Sequence, residues 1–220
     1  MIHKQTQFTL YLIRHAESEM NLKPHLVGGK SAQSPLSAKG KQQAISLGKH
    51  LHGQGISFDA AYSSDLLRST MTAEIALKEI GIPIDTIRLI PELGELAQGD
   101  WEGRSREETY TPETLQYINT KGASFTSPNG ESQMTVERRI SGWFIDEILH
   151  NPKFLDKENT IAIFSHGLAI SCFLHFVMNF NDRLIYRIRL DNTAICKLRF
   201  THEGWFVDNI NDNSHLQYEK

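Results

Sequence analysis

The sequence predicts an α/β fold: a three-layer sandwich with a mostly parallel central sheet flanked by helices, and a lid-like insertion. Three observations carry this expectation. Phe8-Thr9-Leu10-Tyr11-Leu12-Ile13 and Thr160-Ile161-Ala162-Ile163-Phe164 are short, nearly unbroken apolar runs, the pattern of strands covered on both faces. Segments with helical apolar spacing lie between the strand-like runs, and that alternation favours parallel pairing through right-handed crossovers. Several runs end abruptly in polar residues, at the carboxyl ends where open α/β sheets bind ligands.

Each element follows from its residues. After the first strand, Glu19 to Pro35 is rich in Gly, Ser, Pro and Asn, a loop long enough to be functional. Ser37 is placed to cap a helix whose apolar face is Leu36, Ala44, Ile45, Leu47, Gly48 and Leu51, ending at Gly53 and Gly55. Residues 58–63 read as a second strand, Leu66 to Ile80 as a helix stopped by Gly81, and Ile84 to Ile90 as a short third strand. From Glu92 to Gly130 the chain is polar and loop-rich, with one helix expected around 112–118. This stretch, approximately 96–130, reads as an insertion over the active edge of one domain spanning 1–220. Val136, Ile140, Trp143, Phe144, Ile148 and Leu149 share one face of a helix over 132–149. The strand at 160–164 leads through Ser165-His166-Gly167 into a helix over 168–178, and alternation across 184–210 suggests two or three strands with a turn at His202-Glu203-Gly204.

Composition narrows the function. With 220 residues, 40% hydrophobic, 22% charged and a net charge of −3, the chain has the balance of a globular protein and lacks the basic excess of a nucleic-acid binder. The first apolar run is too short for a signal-peptide core or a membrane span. Cys172 and Cys196 have no metal-ligand spacing and read as buried free thiols, so a cytoplasmic location is expected.

Three strand ends carry basic groups. Arg14 and His15 follow the first strand, and Arg68 falls in the first turn of a helix after the second. His166 follows the strand at 160–164. A cation at a helix N-terminus is unfavourable unless an anion neutralises both, although a solvated Arg68 paired with Asp65 is the plainer alternative. Converging arginines suit phosphoryl oxygens, and a histidine can take a phosphoryl group covalently. No Gly-rich nucleotide loop or carboxylate-rich metal cluster stands out, so no cofactor and no metal are expected, with His15 and His166 as metal ligands the chemical rival. A carboxylic acid must protonate the leaving group, and Glu92-Leu93-Gly94-Glu95 offers candidates.

Arg14-His15-Ala16-Glu17-Ser18 with Asn21 resembles the signature of the histidine phosphatase superfamily, the phosphoglycerate mutase-like group. The resemblance continues in order through Pro35-Leu36-Ser37, Gly40, Gln43 and Ala44; Ser63-Ser64 with Leu67-Arg68; Thr72-Ala73; Pro91-Glu92-Leu93, Glu95, Gly99 and Trp101-Glu102-Gly103; Gly130-Glu131-Ser132; and Ser165-His166-Gly167. It covers roughly residues 8 to 200 and implies His15 as the phosphorylated nucleophile, with Arg14, Arg68 and His166 completing a phosphate pocket. It implies Glu95 as proton donor ahead of Glu92 and Glu102, Asn21 as a phosphate contact, and Gly28 and Gly167 as positions where backbone reaches substrate. Ala16 stands where glycine is common and Ser69 where alanine is common.

The reaction expected is hydrolysis of a small phosphorylated metabolite. The mutases that this sequence resembles have a longer insertion whose basic residues clamp a carboxylate, whereas Arg104, Arg106 and Lys121 read more simply as solvated. Phosphoglycerate mutase-type transfer, a phosphoprotein-directed phosphatase and a non-catalytic binding module are the alternatives. Tyr110, Tyr117 and Phe125 are expected to pack the insertion onto the sheet, with an apolar substrate pocket as the other reading. No nucleic-acid or membrane partner is expected, and a homodimer is compatible with the sequence.

Overall fold

Strand β1 (Gln7–Arg14) buries side chains on both faces, Leu10 and Leu12 toward one and Tyr11 and Ile13 toward the other, so it needs a helical layer on each side. The computed structural model, which describes residues 5–216, supplies both layers. Its six-stranded sheet has the order β3-β2-β4-β1-β5-β6, with β2 at Ala60–Ser63, β3 at Arg88–Leu89, β4 at Glu158–Ser165, β5 at Ile195–Thr201 and β6 at Gly204–Asp212. The first four strands pair in parallel, β5 runs antiparallel to β1, and β6 antiparallel to β5. The mostly parallel α/β sheet expected from the sequence is therefore present.

Helices α1 (Ala38–Gly53) and α2 (Leu67–Glu79) lie over one face, where Leu47, Leu51, Ala73 and Leu77 meet Tyr11, Ile13 and Phe164. Ser37 caps α1 as expected, its Oγ accepting from Gly40 N at 3.0 Å. Helices α5 (Gln133–Phe144) and α6 (Gly167–Met178) cover the other face and bury Val136, Ile140, Phe144 and Phe173 against Leu10, Leu12 and Ile163.

The remaining elements depart from expectation in instructive places. The third strand shrinks to two residues, because Ile84–Thr86 forms a 3-10 turn after Pro83 at an exposed sheet edge. The helix expected over 132–149 ends as α helix at Phe144 and continues as a π turn, Ile145–Leu149, that keeps Ile148 and Leu149 buried. Asp182–Arg187 is a 3-10 turn capped by Asn181, whose side chain accepts from Arg183 N at 3.0 Å, so the tail contributes two strands. The insertion holds α3 (Arg106–Thr109), which the sequence reading missed, and α4 (Pro112–Lys121). Its aromatic residues pack on one another: Trp101 meets Tyr110 at 5.7 Å and Phe125 at 5.5 Å between ring centroids, and Tyr117 meets Phe125 at 6.0 Å. The aromatic residues of the insertion thus form a cluster of their own. Among the described residues no helix is long and apolar enough to cross a membrane.

Candidate active site

The register of the sheet brings the basic strand ends to one level. Arg14 pairs with Ser165 across β1 and β4, and Ser63 pairs with Phe164 across β2 and β4. Just beyond, His15 N donates to Ser165 O and Ser64 N to Phe164 O, each at 2.9 Å. The His15 and His166 rings consequently stand 5.0 Å apart between centroids.

His15 is 4% exposed, and its tautomer follows from its partners. Its Nδ1 lies 2.7 Å from Ala16 O, and a carbonyl only accepts, so Nδ1 carries the proton and Nε2 presents a lone pair. Arg68 Nε donates to that Nε2 at 3.2 Å. Burial, then the charges of Arg68 and Arg14, hold the His15 imidazole well below the ordinary histidine pKa, so the ring is neutral. The backbone around it is fixed as well: Ala16 N donates to Thr72 Oγ1 at 3.0 Å, Thr72 Oγ1 to Arg68 O at 2.6 Å, and Asn192 Nδ2 to His15 O at 3.0 Å.

Arg68 is buried in the first turn of α2, and its guanidinium does not turn to the exposed Asp65. It donates to the carbonyls of Gly29, Lys30 and Ser31 at 3.1, 2.6 and 3.3 Å. Glu102 holds this loop in place, its carboxylate accepting from Lys30 N, Ser31 N and Gln98 N at 3.0, 3.1 and 3.0 Å. Gly29 is required there: its φ is +112°, and a Cβ would lie 2.4 Å from Glu102 Oε1. Arg14 donates from Nη1 to Leu190 O, while its buried Nε has no hydrogen-bond partner. Burial lowers the pKa of both arginines, and the Glu95 charge opposes this at each.

His166 is fully buried, with Nε2 2.9 Å from Ser64 Oγ. Ser64 Oγ also accepts from Leu66 N at 3.2 Å. The buried Nδ1 of His166 has no hydrogen-bond partner. Burial and then Arg68, His15, Arg14 and Arg139 hold the ring well below the usual pKa. A neutral acceptor nitrogen on His15, the Arg68 and Arg14 guanidinium groups and an unpartnered ring nitrogen on His166 therefore gather at the same strand ends.

Glu95 lies at the N-terminus of α6. Its carboxylate accepts from Leu96 N at 2.9 Å, Ala169 N at 3.1 Å and Leu168 N at 3.3 Å. Glu92 is exposed, and the Glu102 carboxylate is occupied by the loop, so of the three expected carboxylates Glu95 is placed beside the strand ends. Asn21 uses its Oδ1 to accept from Ser18 N and Oγ at 3.0 and 3.1 Å. A Cβ at Gly28 would meet nothing within 4 Å, and one at Gly167 would stand at ordinary contact distance, 3.5 Å, from Arg14 Nε, so Gly167 lies against Arg14 and neither position demands glycine for space.

One arrangement escaped the sequence reading. Arg139 forms a two-point ion pair with Glu131, 3.0 and 3.1 Å, and donates to the carbonyls of Glu92 and Glu95, the latter at 3.2 Å. Glu131 also accepts from Ala97 N at 3.0 Å. Ser165 Oγ adds a 2.7 Å bond to Leu93 O. The segment that carries Glu95 is therefore held on both sides. The i, i+8 spacing of Glu131 and Arg139 spans a loop-to-helix boundary and gives no periodic signal.

Comparison with known proteins gives the family and the fold. The sequence model of the histidine phosphatase superfamily (branch 1) matches residues 10–213. A 2,3-bisphosphoglycerate-dependent phosphoglycerate mutase of Bartonella henselae is 32% identical over 179 residues, covering 80% of this chain and 84% of the relative. A phosphoserine phosphatase variant of Entamoeba histolytica, crystallised with phosphoserine, superposes with a TM-score of 0.79 at 26% identity, covering 95% of this chain and 99% of that one. The α-ribazole phosphatase of Shigella flexneri gives 0.77 at 25% identity, covering 93% and 96%.

Proposed function

As the chain belongs to branch 1 of the histidine phosphatase superfamily, we propose that it hydrolyses phosphomonoesters of small metabolites through a phosphohistidine at His15. The observation that carries this reading is the neutral imidazole whose Nε2 lone pair faces the Arg68 guanidinium, with the Arg14 charge near by.

The steps follow from the groups present. Arg14, Arg68 and His166 bind the phosphoryl oxygens, and Asn21 adds a neutral donor from its amide. His15 Nε2 attacks phosphorus; the P–N bond forms as the P–O ester bond breaks, and the electron pair leaves with the alkoxide oxygen. Glu95 gives that oxygen its proton, so the alcohol departs neutral. The guanidinium groups face the charge that spreads over the equatorial oxygens. In the second half, the Glu95 carboxylate takes a proton from water as the water oxygen attacks phosphorus. The P–N bond breaks, phosphate leaves, and His15 returns to the neutral tautomer.

A second reading is phosphoglycerate mutase-type transfer, which the Bartonella henselae relative favours. Against it, Arg104, Arg106 and Lys121 are exposed, and the last two lie over the Tyr110 and Tyr117 rings at 4.8 and 5.6 Å and not in the pocket. The test is phosphate release from an aryl phosphate and a panel of phosphorylated metabolites, with chelator present. Turnover that His15→Ala abolishes supports the hydrolase. Activity surviving that substitution contradicts the phosphohistidine route, and turnover that requires a bisphosphate primer selects the mutase.

A further inference from the structure

We propose that the turn 190–194 and the segment beyond β6 form a clamp that aims the end of β1, with Thr193, Asn213 and His215 as positioning residues for Arg14 and His15. This rests on the phosphohistidine reading, because it concerns the residues which that reading uses. The turn grips the strand end at three points. Arg14 Nη1 donates to Leu190 O, and Asn192 Nδ2 donates to His15 O at 3.0 Å. Thr193 N lies 3.1 Å from Arg14 O and 3.4 Å from His15 O, so one N–H is shared between consecutive carbonyls. Backbone and Arg14 side chain are therefore held together, just where β1 stops.

The turn is itself held from outside. Thr193 is fully buried at φ +61°, a left-handed conformation that a β-branched residue keeps only where its surroundings impose it. Those surroundings come from the segment after β6. His215 is 5% exposed, in the 3-10 turn Ser214–Leu216, and its Nε2 is 2.8 Å from Thr193 Oγ1. Its ring also stacks on His50, in the last turn of α1, at 5.5 Å between centroids. Asn213 Nδ2 donates to Asp191 Oδ2 at 2.7 Å. Asn211 brackets the same residue: its Nδ2 donates to Asp191 Oδ2 at 3.0 Å, and its Oδ1 accepts from Asp191 N at 2.7 Å.

The strand is shaped for this contact. Ile195 pairs with Asp212 and Lys197 with Asn209, so β6 sets two residues, Ile210 and Asn211, against Cys196 alone. At this bulge Asn211 has φ +63°, and two left-handed non-glycine residues thus meet at one contact. Strain of this kind gathers where geometry serves a site. Asp191 adds charge as well, supporting the Arg14 cation that burial disfavours. In-line attack tolerates little misplacement of the nucleophile, so a slack strand end costs rate even where the fold survives.

The test uses Asn213→Ala, His215→Phe and His215→Gln, with Asp208→Asn as a control on β6 that disrupts only the surface pair with Arg199. Asn213→Ala and His215→Phe are expected to lower kcat on 4-nitrophenyl phosphate roughly tenfold or more. They should also move the His15 titration upward, read by NMR of the histidine ring carbons, because burial and the arginine charges act less on a loosened ring. His215→Gln, whose amide can take the place of Nε2, keeps both readouts near wild type, and Asp208→Asn leaves both unchanged. An unmoved His15 titration in Asn213→Ala overturns the proposal, and so does an equal shift in Asp208→Asn. If His215→Phe does not fold, Asn213→Ala decides, because Asn213 is only half-buried. If the wild-type protein turns over no ester, the hydrolase reading fails separately and the His15 titration alone decides the clamp. A rise in Asn213→Ala upholds it, and no change overturns it.

Discussion

Arg68 Nε donates to His15 Nε2 at 3.2 Å, so a buried cation rests on the lone pair of a neutral imidazole. The Nε edge that faces the ring is the one that would face a phosphoryl group there, while the Nη groups hold the loop carbonyls, a division of donors that lysine cannot make. Arg68→Lys is expected to lower kcat/KM by about 10²–10³-fold, the usual cost of one lost charge-stabilising donor. Arg68→Ala should also move the acid limb of the rate profile to higher pH, because the Arg68 charge helps to hold His15 neutral. Steady-state kinetics across pH for both variants checks this.

Stability carries the same signature. His15 and His166 both have pKa values lowered by burial and by the arginines, while in the unfolded chain each returns to about 6.5. Between those values the unfolded chain binds more protons than the folded one, so stability is full above about pH 6.5 and is lost as pH falls toward the folded values. Thermal melts between about pH 7 and pH 5 should show this decline, and His166→Asn should make it shallower.

Arg139 is expected to act through Glu95 and not on the substrate. Arg139→Ala frees the Glu92 and Glu95 carbonyls and leaves Glu131 unpaired, which loosens the segment carrying the acid. General acid catalysis contributes about 10²–10⁴-fold, and esters of poor leaving groups need it most. Alkyl phosphates should therefore lose at least about tenfold in kcat, a part of that range, while 4-nitrophenyl phosphate changes little. An equal loss on both would assign Arg139 a general structural role.

Most of the architecture was legible in the sequence, because β1, β4 and the helices over them bury continuous apolar faces whose spacing survives in one dimension. The strand ends that carry Arg14, His15, Arg68 and His166 were legible for the same reason: each is a sharp change from apolar to polar. Elements decided by local capping and edge position were not. The truncation of β3 after Pro83, the π turn after Phe144 and the 3-10 turn at Asp182 depend on tertiary surroundings. Side-chain contacts between distant segments were equally hidden, as with Arg139 on the Glu95 segment and Glu102 on the loop beside Arg68. His215 gave no signal at all, since its contact with Thr193 is visible only once its neighbours are placed.

The central claim is that His15 Nε2 takes the phosphoryl group, and trapping that group tests it most directly. Protein mixed with a radiolabelled phosphomonoester and quenched within the first turnover should carry label that is stable to base and released by acid, as a phosphoramidate is, and that maps to His15. His15→Ala should carry none. Label on another residue, or full turnover with no labelled protein at any quench time, would contradict the account.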